Sequence, residues 1–275
     1  MYVGKKDCGS IIRLSGLLLG LASFTAPALA ETSNEELAKK LANPIASLIS
    51  LPIQYNTDQK IGQAETGTRQ LTNIQPVIPF SLNDDWNLIS RTIVPVISQK
   101  DIFAGAGKQS GFGDVIQSAF FSPKQPTATG WIWGAGPVLL LPTASDPLLG
   151  AEKWGMGPTA VALKQNGPWT YGLLANHIWS VGGKSSRANI NATFLQPFLS
   201  YTTPTATTLS LSTESTYDWR SNRWVVPVNL QISQVLKLGG QLISIQAGGR
   251  YWAATTPASP KGFGARLSLT FLFPK

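Results

Sequence analysis

The sequence predicts an all-β chain, a transmembrane antiparallel β-barrel of the outer-membrane kind with about twelve strands and one short N-terminal helix. Three observations carry this. Polarity alternates with a period of two through most of the chain, the signature of strands with one apolar face. The connections between alternating segments are by turns short and long. The tryptophans gather at segment ends.

Composition narrows the class first. The chain has 275 residues, 43% hydrophobic and only 13% charged, with one Cys and one His. So low a charged share excludes a chain kept disordered by its own charge. The single Cys excludes a disulfide framework. The net charge of +8 is spread thinly, without a basic cluster, so no nucleic-acid partner is expected. Beyond the N-terminal leader no apolar run reaches the roughly 18 residues that a membrane-spanning helix needs.

Residues 1–30 read as a cleavable signal peptide. Lys5 and Lys6 supply the positive start, residues 11–24 the apolar stretch, and Ala28-Leu29-Ala30 the cleavage site. Cys8 leaves with that peptide. Export to the outer membrane of a Gram-negative bacterium is therefore expected. Residues 31–44 read as a periplasmic or plug helix. Ser33 and Glu36 have capping-box spacing, Leu37 and Leu41 share a face, and Asn43-Pro44 stops the helix.

Residues 45–275 read as the barrel. The alternating segments fall near 45–55, 69–80, 86–99, 111–122, 130–142, 155–165, 169–181, 188–202, 207–219, 223–236, 241–253 and 262–273. Their length suits a tilted bilayer crossing, and the alternation of short and long connections suits periplasmic turns and outer loops. Trp86, Trp131, Trp133 and Trp169 fall at the inner rim. Trp154, Trp179, Trp219, Trp224 and Trp252 fall at the outer rim, so all nine are expected in interfacial belts against outer-membrane lipids. Proline is the contrary observation. Pro76, Pro79, Pro95, Pro137, Pro158, Pro197 and Pro227 lie inside these segments, and a closed barrel has no free edge to host them. Bulges, kinks or shifted boundaries are expected there.

Three stretches carry a family likeness: Gly111-Phe112-Gly113-Asp114, Gly134-Ala135-Gly136-Pro137 running on to Pro142-Thr143, and Leu149-Gly150-Ala151-Glu152-Lys153-Trp154-Gly155-Met156-Gly157-Pro158. With them the chain resembles a bacterial outer-membrane "transporter" family named for a phenol-degradation (meta) pathway protein. The likeness extends from residue 36 to the C-terminus. Some similar sequences carry the neuropeptide label neuromedin U, which nothing in an exported bacterial barrel supports. The resemblance implies passage of hydrophobic or aromatic compounds through the outer membrane, and it brings no catalytic motif. The chain ends Phe-Pro-Lys rather than in a terminal Phe, so Phe271 and Phe273 are the expected substitutes in a last strand read by the assembly machinery.

Alternation also assigns an interior. The lumen-facing candidates are Glu214 and Asp218, then Arg223, Asn229 and Gln231, then Gln246 and Arg250, then Arg266, with Asp114 facing them from the fourth strand. These charges can form an ion-paired filling or a charged constriction that sorts solutes. Gly105-Ala106-Gly107-Lys108 and Gly182-Gly183-Lys184 lack the spacing of a phosphate loop and read as loop tips. His177, the single His, shares a face with Tyr171, Leu173 and Trp179, so it points to lipid near the outer rim. No His or Cys set suggests a metal, no paired carboxylates suggest acid–base chemistry, and no cofactor is expected. The expected function is a passive channel for small hydrophobic or aromatic molecules, not an enzyme. A structural or adhesion barrel and, further off, a lipid-modifying enzyme are the alternatives.

Overall fold

A computed structural model describes residues 33–274. The signal-peptide reading at 1–30 lies outside the described residues. The helix α1 (Asn34–Leu41) comes first. Ser33 Oγ accepts the Glu36 N–H at 3.1 Å, and Glu35–Lys39 and Glu36–Lys40 pair one turn apart. Acid in the first turn and base in the last complement the helix dipole. Asn43 Oδ1 then accepts the Ile45 N–H and turns the chain toward the sheet.

Twelve antiparallel strands close into a barrel. They are β1 (Ile49–Ile61), β2 (Gly67–Ile74 and Val77–Ser81), β3 (Trp86–Lys100), β4 (Lys108–Phe112 and Val115–Pro123), β5 (Trp131–Leu141) and β6 (Lys153–Asn166). The second half comprises β7 (Trp169–Gly183), β8 (Asn191–Thr202), β9 (Thr207–Thr213 and Ser215–Asp218), β10 (Arg223–Leu238), β11 (Gln241–Ala254) and β12 (Gly262–Phe273). Each strand pairs with the next, and β12 returns to β1 from Ile49↔Phe273 to Thr57↔Ala265. Closure leaves no unpaired edge, which a lipid environment demands.

The first strand differs from its sequence assignment. It begins at Ile49 rather than 45 and runs on to Ile61. Residues 45–48 lead into it with Ile45 and Leu48 buried in the interior, and the extension to Ile61 shortens the first long-side connection to 62–66.

Five of the strand prolines sit where the ladder is broken. Pro76 falls between the halves of β2. Pro197 of β8 and Pro227 of β10 flank the break in β9 at Glu214, and neither can donate to that stretch. Pro227 also marks the register shift between β10 and β11. Pro137 and Pro158 face one another across β5 and β6, and each borders a gap in the pairing on its other side. At these gaps a glycine lets backbones approach. A Cβ on Gly136 would strike the Ala119 carbonyl, and one on Gly157 the His177 carbonyl.

The polarity is inverted relative to a soluble barrel. Leu209, Leu211, Leu230, Ile232 and Leu267 stand exposed on the outer face, while Asn56, Asp58, Asn229, Arg250 and Arg266 are buried inside. So broad an apolar exterior fits hydrocarbon, not water. At the short-turn end, Leu37 and Ala38 of α1 are buried with Leu48, Val235 and Leu272, and Gln165 Nε2 donates to the Lys39 carbonyl at 2.8 Å. The helix is therefore packed against the inner wall.

Candidate functional site: a lumen with two unlike walls

The strands enclose a cavity of about 720 Å³, with a second of about 230 Å³ toward the short-turn end. Gln54, Gln75, Arg91 and Gln246 border both, as do Leu41, Ala42 and Pro44 at the end of α1. The two spaces therefore adjoin at a polar ring that the helix end helps to form.

One wall of the larger cavity is apolar. On β3, β4 and β5 the inward residues Ile93, Ile116 and Leu140 stand side by side in register. Phe120, Phe194 and Phe198 extend this surface. Toward the short-turn end the same inward faces continue with Ile89, which pairs with Phe120, and with Val161 and Leu163, all buried.

The opposite wall, from β9 through β12 into β1, is an ionic network. Glu214 Oε2 accepts from Arg250 Nη2 at 2.7 Å and from Arg266 Nη2 at 2.8 Å, while Arg266 Nη1 donates to Oε1 at 2.8 Å. Arg250 Nε donates to Asn229 Oδ1 and Arg266 Nε to Asn56 Oδ1. Asp58 lies deeper. It accepts from Trp252 Nε1 at 2.9 Å and stands 3.7 Å from both Arg69 and Arg250. Bidentate pairing of a planar guanidinium with a carboxylate fixes both partners, and such a network resists disruption because loss of one member strands the others.

The sequence-assigned lumen residues divide into groups. Glu214, Asn229, Arg250 and Arg266 come together in this network, and Gln231 and Gln246 line the cavity beside it. Asp114 borders the cavity, but its oxygens are taken by the Ala144 and Ala151 N–H groups. It thereby ties down the 142–152 connection at the long-loop end. Arg187 holds the same connection through the carbonyls of Pro147, Gly150 and Ala151.

Two of the assigned residues lie elsewhere. Asp218 caps the β9–β10 turn, accepting from the Arg220 N–H and the Ser221 hydroxyl. Arg223 stands exposed at the start of β10, opposite Asp218 in register. Both belong to the hairpin mouth, because the turn is tight and the barrel interior begins below it.

Trp252 is the correction among the aromatics. It is buried inside with 8% exposure, stacked on Arg250 and bonded to Asp58. Its parity already matches that of Arg250, so the face was readable even though its position near a strand end suggested a belt. The remaining tryptophans form two outer tiers. Trp86–Trp133, Trp131–Tyr171 and Trp169–Tyr201 make edge contacts at the short-turn end. Tyr217 packs with Trp219 and Trp224 at the long-loop end, where Trp154 and Trp179 are exposed. His177 belongs to that tier, stacked on Trp179, with Nδ1 2.7 Å from Thr193 Oγ1.

Sequence reasoning missed Asn56, Asp58, Arg69 and Arg91. The first two lay beyond the strand end assigned to β1. Arg69 and Arg91 share the inward parity of their strands, so alternation is the signal that identifies them.

No protein-family model matches the chain, and no curated protein is similar to it in sequence. In fold it is similar to the COG4313 outer membrane channel from Pseudomonas putida F1, at 18% identity and a TM-score of 0.65 over 82% of this chain and 96% of that one. Weaker likenesses are the Salmonella typhi outer membrane phospholipase dimer with bound calcium (12% identity, 88% and 99% coverage, TM-score 0.47) and the β domain of the Bordetella autotransporter Brka (12%, 82% and 100%, 0.46). What the likeness to the Pseudomonas putida channel establishes is the fold alone, an antiparallel barrel of the outer-membrane kind.

Proposed function

We propose that the chain is an outer-membrane channel for passive passage of small hydrophobic or aromatic molecules. The observation that carries this reading is the larger cavity, whose apolar wall of Ile93, Ile116, Phe194 and Phe198 faces a polar, ion-paired wall across open space. An interior built only for stiffness would close that space by packing. An interior built only for water and ions would not line it with phenylalanine. The aromatic tiers set the barrel in a bilayer, and the long-loop end would face outward as in other outer-membrane barrels. Passage of this kind follows the solute gradient. Selection falls to the polar ring of Gln54, Gln75, Arg91 and Gln246.

A lipid-acting enzyme would have to use His177. The hydroxyl beside it belongs to Thr193, which also accepts from Trp219 Nε1 at 2.8 Å. That set fits an interfacial polar cluster better than an activated nucleophile, whose oxygen would need to be free to attack.

The test is single-channel recording of the refolded barrel in a planar bilayer with a neutral aromatic alcohol added. Current that the alcohol blocks in a dose-dependent way, with weaker block in Phe194→Ala, supports the reading. Current indifferent to the alcohol at all concentrations contradicts it.

A further inference from the structure

Charge balance around the larger cavity is uneven. The charged groups that border it are Arg91, Arg250 and Arg266 with Asp114 and Glu214. Asp114 is consumed by two backbone N–H groups, and Glu214 by Arg250 and Arg266. Arg91 is left over. Its Nη2 donates to Gln75 Oε1 at 3.0 Å, and among the described residues no carboxylate lies within 4 Å of it. A guanidinium has five N–H donors in a planar fork that matches a carboxylate in shape. Holding that cation inside a barrel with no contact ion pair, Glu214 acting on it only from beyond pairing distance, is costly. Ile93 follows it on the same inward face of β3, in register with Ile116 of β4. A cation and an apolar surface thus border one cavity.

We infer that the cavity seats an apolar carboxylate, the carboxylate on Arg91 beside Gln75 and the hydrocarbon or aromatic body against the wall of Ile93, Ile116 and the phenylalanines. This rests on the channel reading above and narrows its solute to an amphipathic acid. A small inorganic anion would satisfy Arg91 and leave the apolar wall wet. A neutral aromatic would cover the wall and leave Arg91 unpaired. The carboxylate does both, and bidentate pairing supplies direction.

The experiment is calorimetric titration of the refolded barrel in nonionic micelles with 4-phenylbutyrate, 4-phenylbutanol and 4-phenylbutylamine, with sodium acetate as the anion lacking an apolar body. The expected result is at least tenfold tighter binding of the butyrate than of the alcohol, with the amine and acetate weaker still. Arg91→Gln should remove the butyrate's advantage over the alcohol, while Arg91→Lys keeps most of the preference. Gln75→Glu places a carboxylate beside Arg91 and should abolish the preference with the arginine intact, so the test survives if Arg91→Gln fails to fold. Equal binding of butyrate and alcohol to the unmodified barrel, or a preference that persists in both Arg91→Gln and Gln75→Glu, overturns the carboxylate site and leaves the channel reading standing. Acetate binding as tightly as the butyrate also overturns it, reducing Arg91 to a simple anion site. Absence of binding by butyrate and alcohol alike overturns the inference together with the reading beneath it.

Discussion

The two walls of the lumen are built from the same kind of strand and hold together by different physics. On β3 to β8 the inward faces pack Ile89, Phe120, Val161 and Leu163, and stability comes from filled volume. On β9 to β12 and β1 the inward faces carry Glu214, Arg250, Arg266, Asn229 and Asn56, and stability comes from a complete set of charge-assisted hydrogen bonds. Alternation alone dictates both as barrel strands. What differs is which side chain occupies every second position, and that choice makes one side adaptable to apolar surface and the other rigid and directional.

The contrast breaks most severely at Glu214. Glu214→Gln leaves Arg250 and Arg266 facing a neutral amide, an expected cost of roughly 3–5 kcal/mol. Urea unfolding in micelles, followed by tryptophan emission, should show the midpoint fall accordingly. A midpoint equal to that of the parent would mean that the polar wall is not held by its charges. Next comes Phe120→Ala in the apolar wall, where Phe120 is 1% exposed. The expected loss is about 3 kcal/mol from transfer and cavity terms, and it should be insensitive to ionic strength. Marked salt dependence of that loss would argue against simple packing.

Ion selectivity sharpens the comparison at smaller scale. Gln231→Arg adds a cation to the cavity lining and should shift the reversal potential in a salt gradient toward anions. Arg223→Ala, at the exposed mouth, should shift it far less. Equal shifts would return Arg223 to the lumen. Smallest is the outer rim, where the Lys261 ammonium, bonded at 2.8 Å, holds the Glu65 carboxyl below its ordinary range. Because the folded state depresses that pKa, the pair stabilises the rim above the ordinary glutamate value of about 4.3 and loses this as pH falls through the lower folded value. The pair is solvent-exposed, so the effect should appear as local opening near 62–66 in hydrogen exchange, removed by Lys261→Ala, and not as a change in the global midpoint.

The fold was legible because a two-residue period needs no partner to be read. Strands such as Trp224 to Ile232 declare two faces by themselves. The prolines were legible as trouble but not as a solution, since the pairing gaps beside Pro137 and Pro158 exist only once the neighbouring strands are in place. The site was half legible. Arg250 and Arg266 follow from parity, whereas their common partner Glu214 depends on three strands meeting in one register. Arg223 shows the limit of parity. Facing inward at a strand end places a side chain at a mouth, and only the turn geometry tells where the interior starts. The end assigned to β1 at 55, six residues short of Ile61, hid more. Asn56 and Asp58 fell into an assumed loop, and with them the inner partner of Trp252.

The central claim is that the two-walled lumen is a route, narrowed at its short-turn end by α1. The most direct measurement compares single-channel conductance of the refolded barrel with that of Leu37→Asp, since Leu37 is fully buried beneath the helix against Val235 and Leu272. A carboxylate cannot be accommodated there without a partner, so the helix should leave the wall. The account predicts small, discrete openings in the parent and openings severalfold larger in Leu37→Asp. Silence from both proteins, each shown to be folded and inserted, would contradict it.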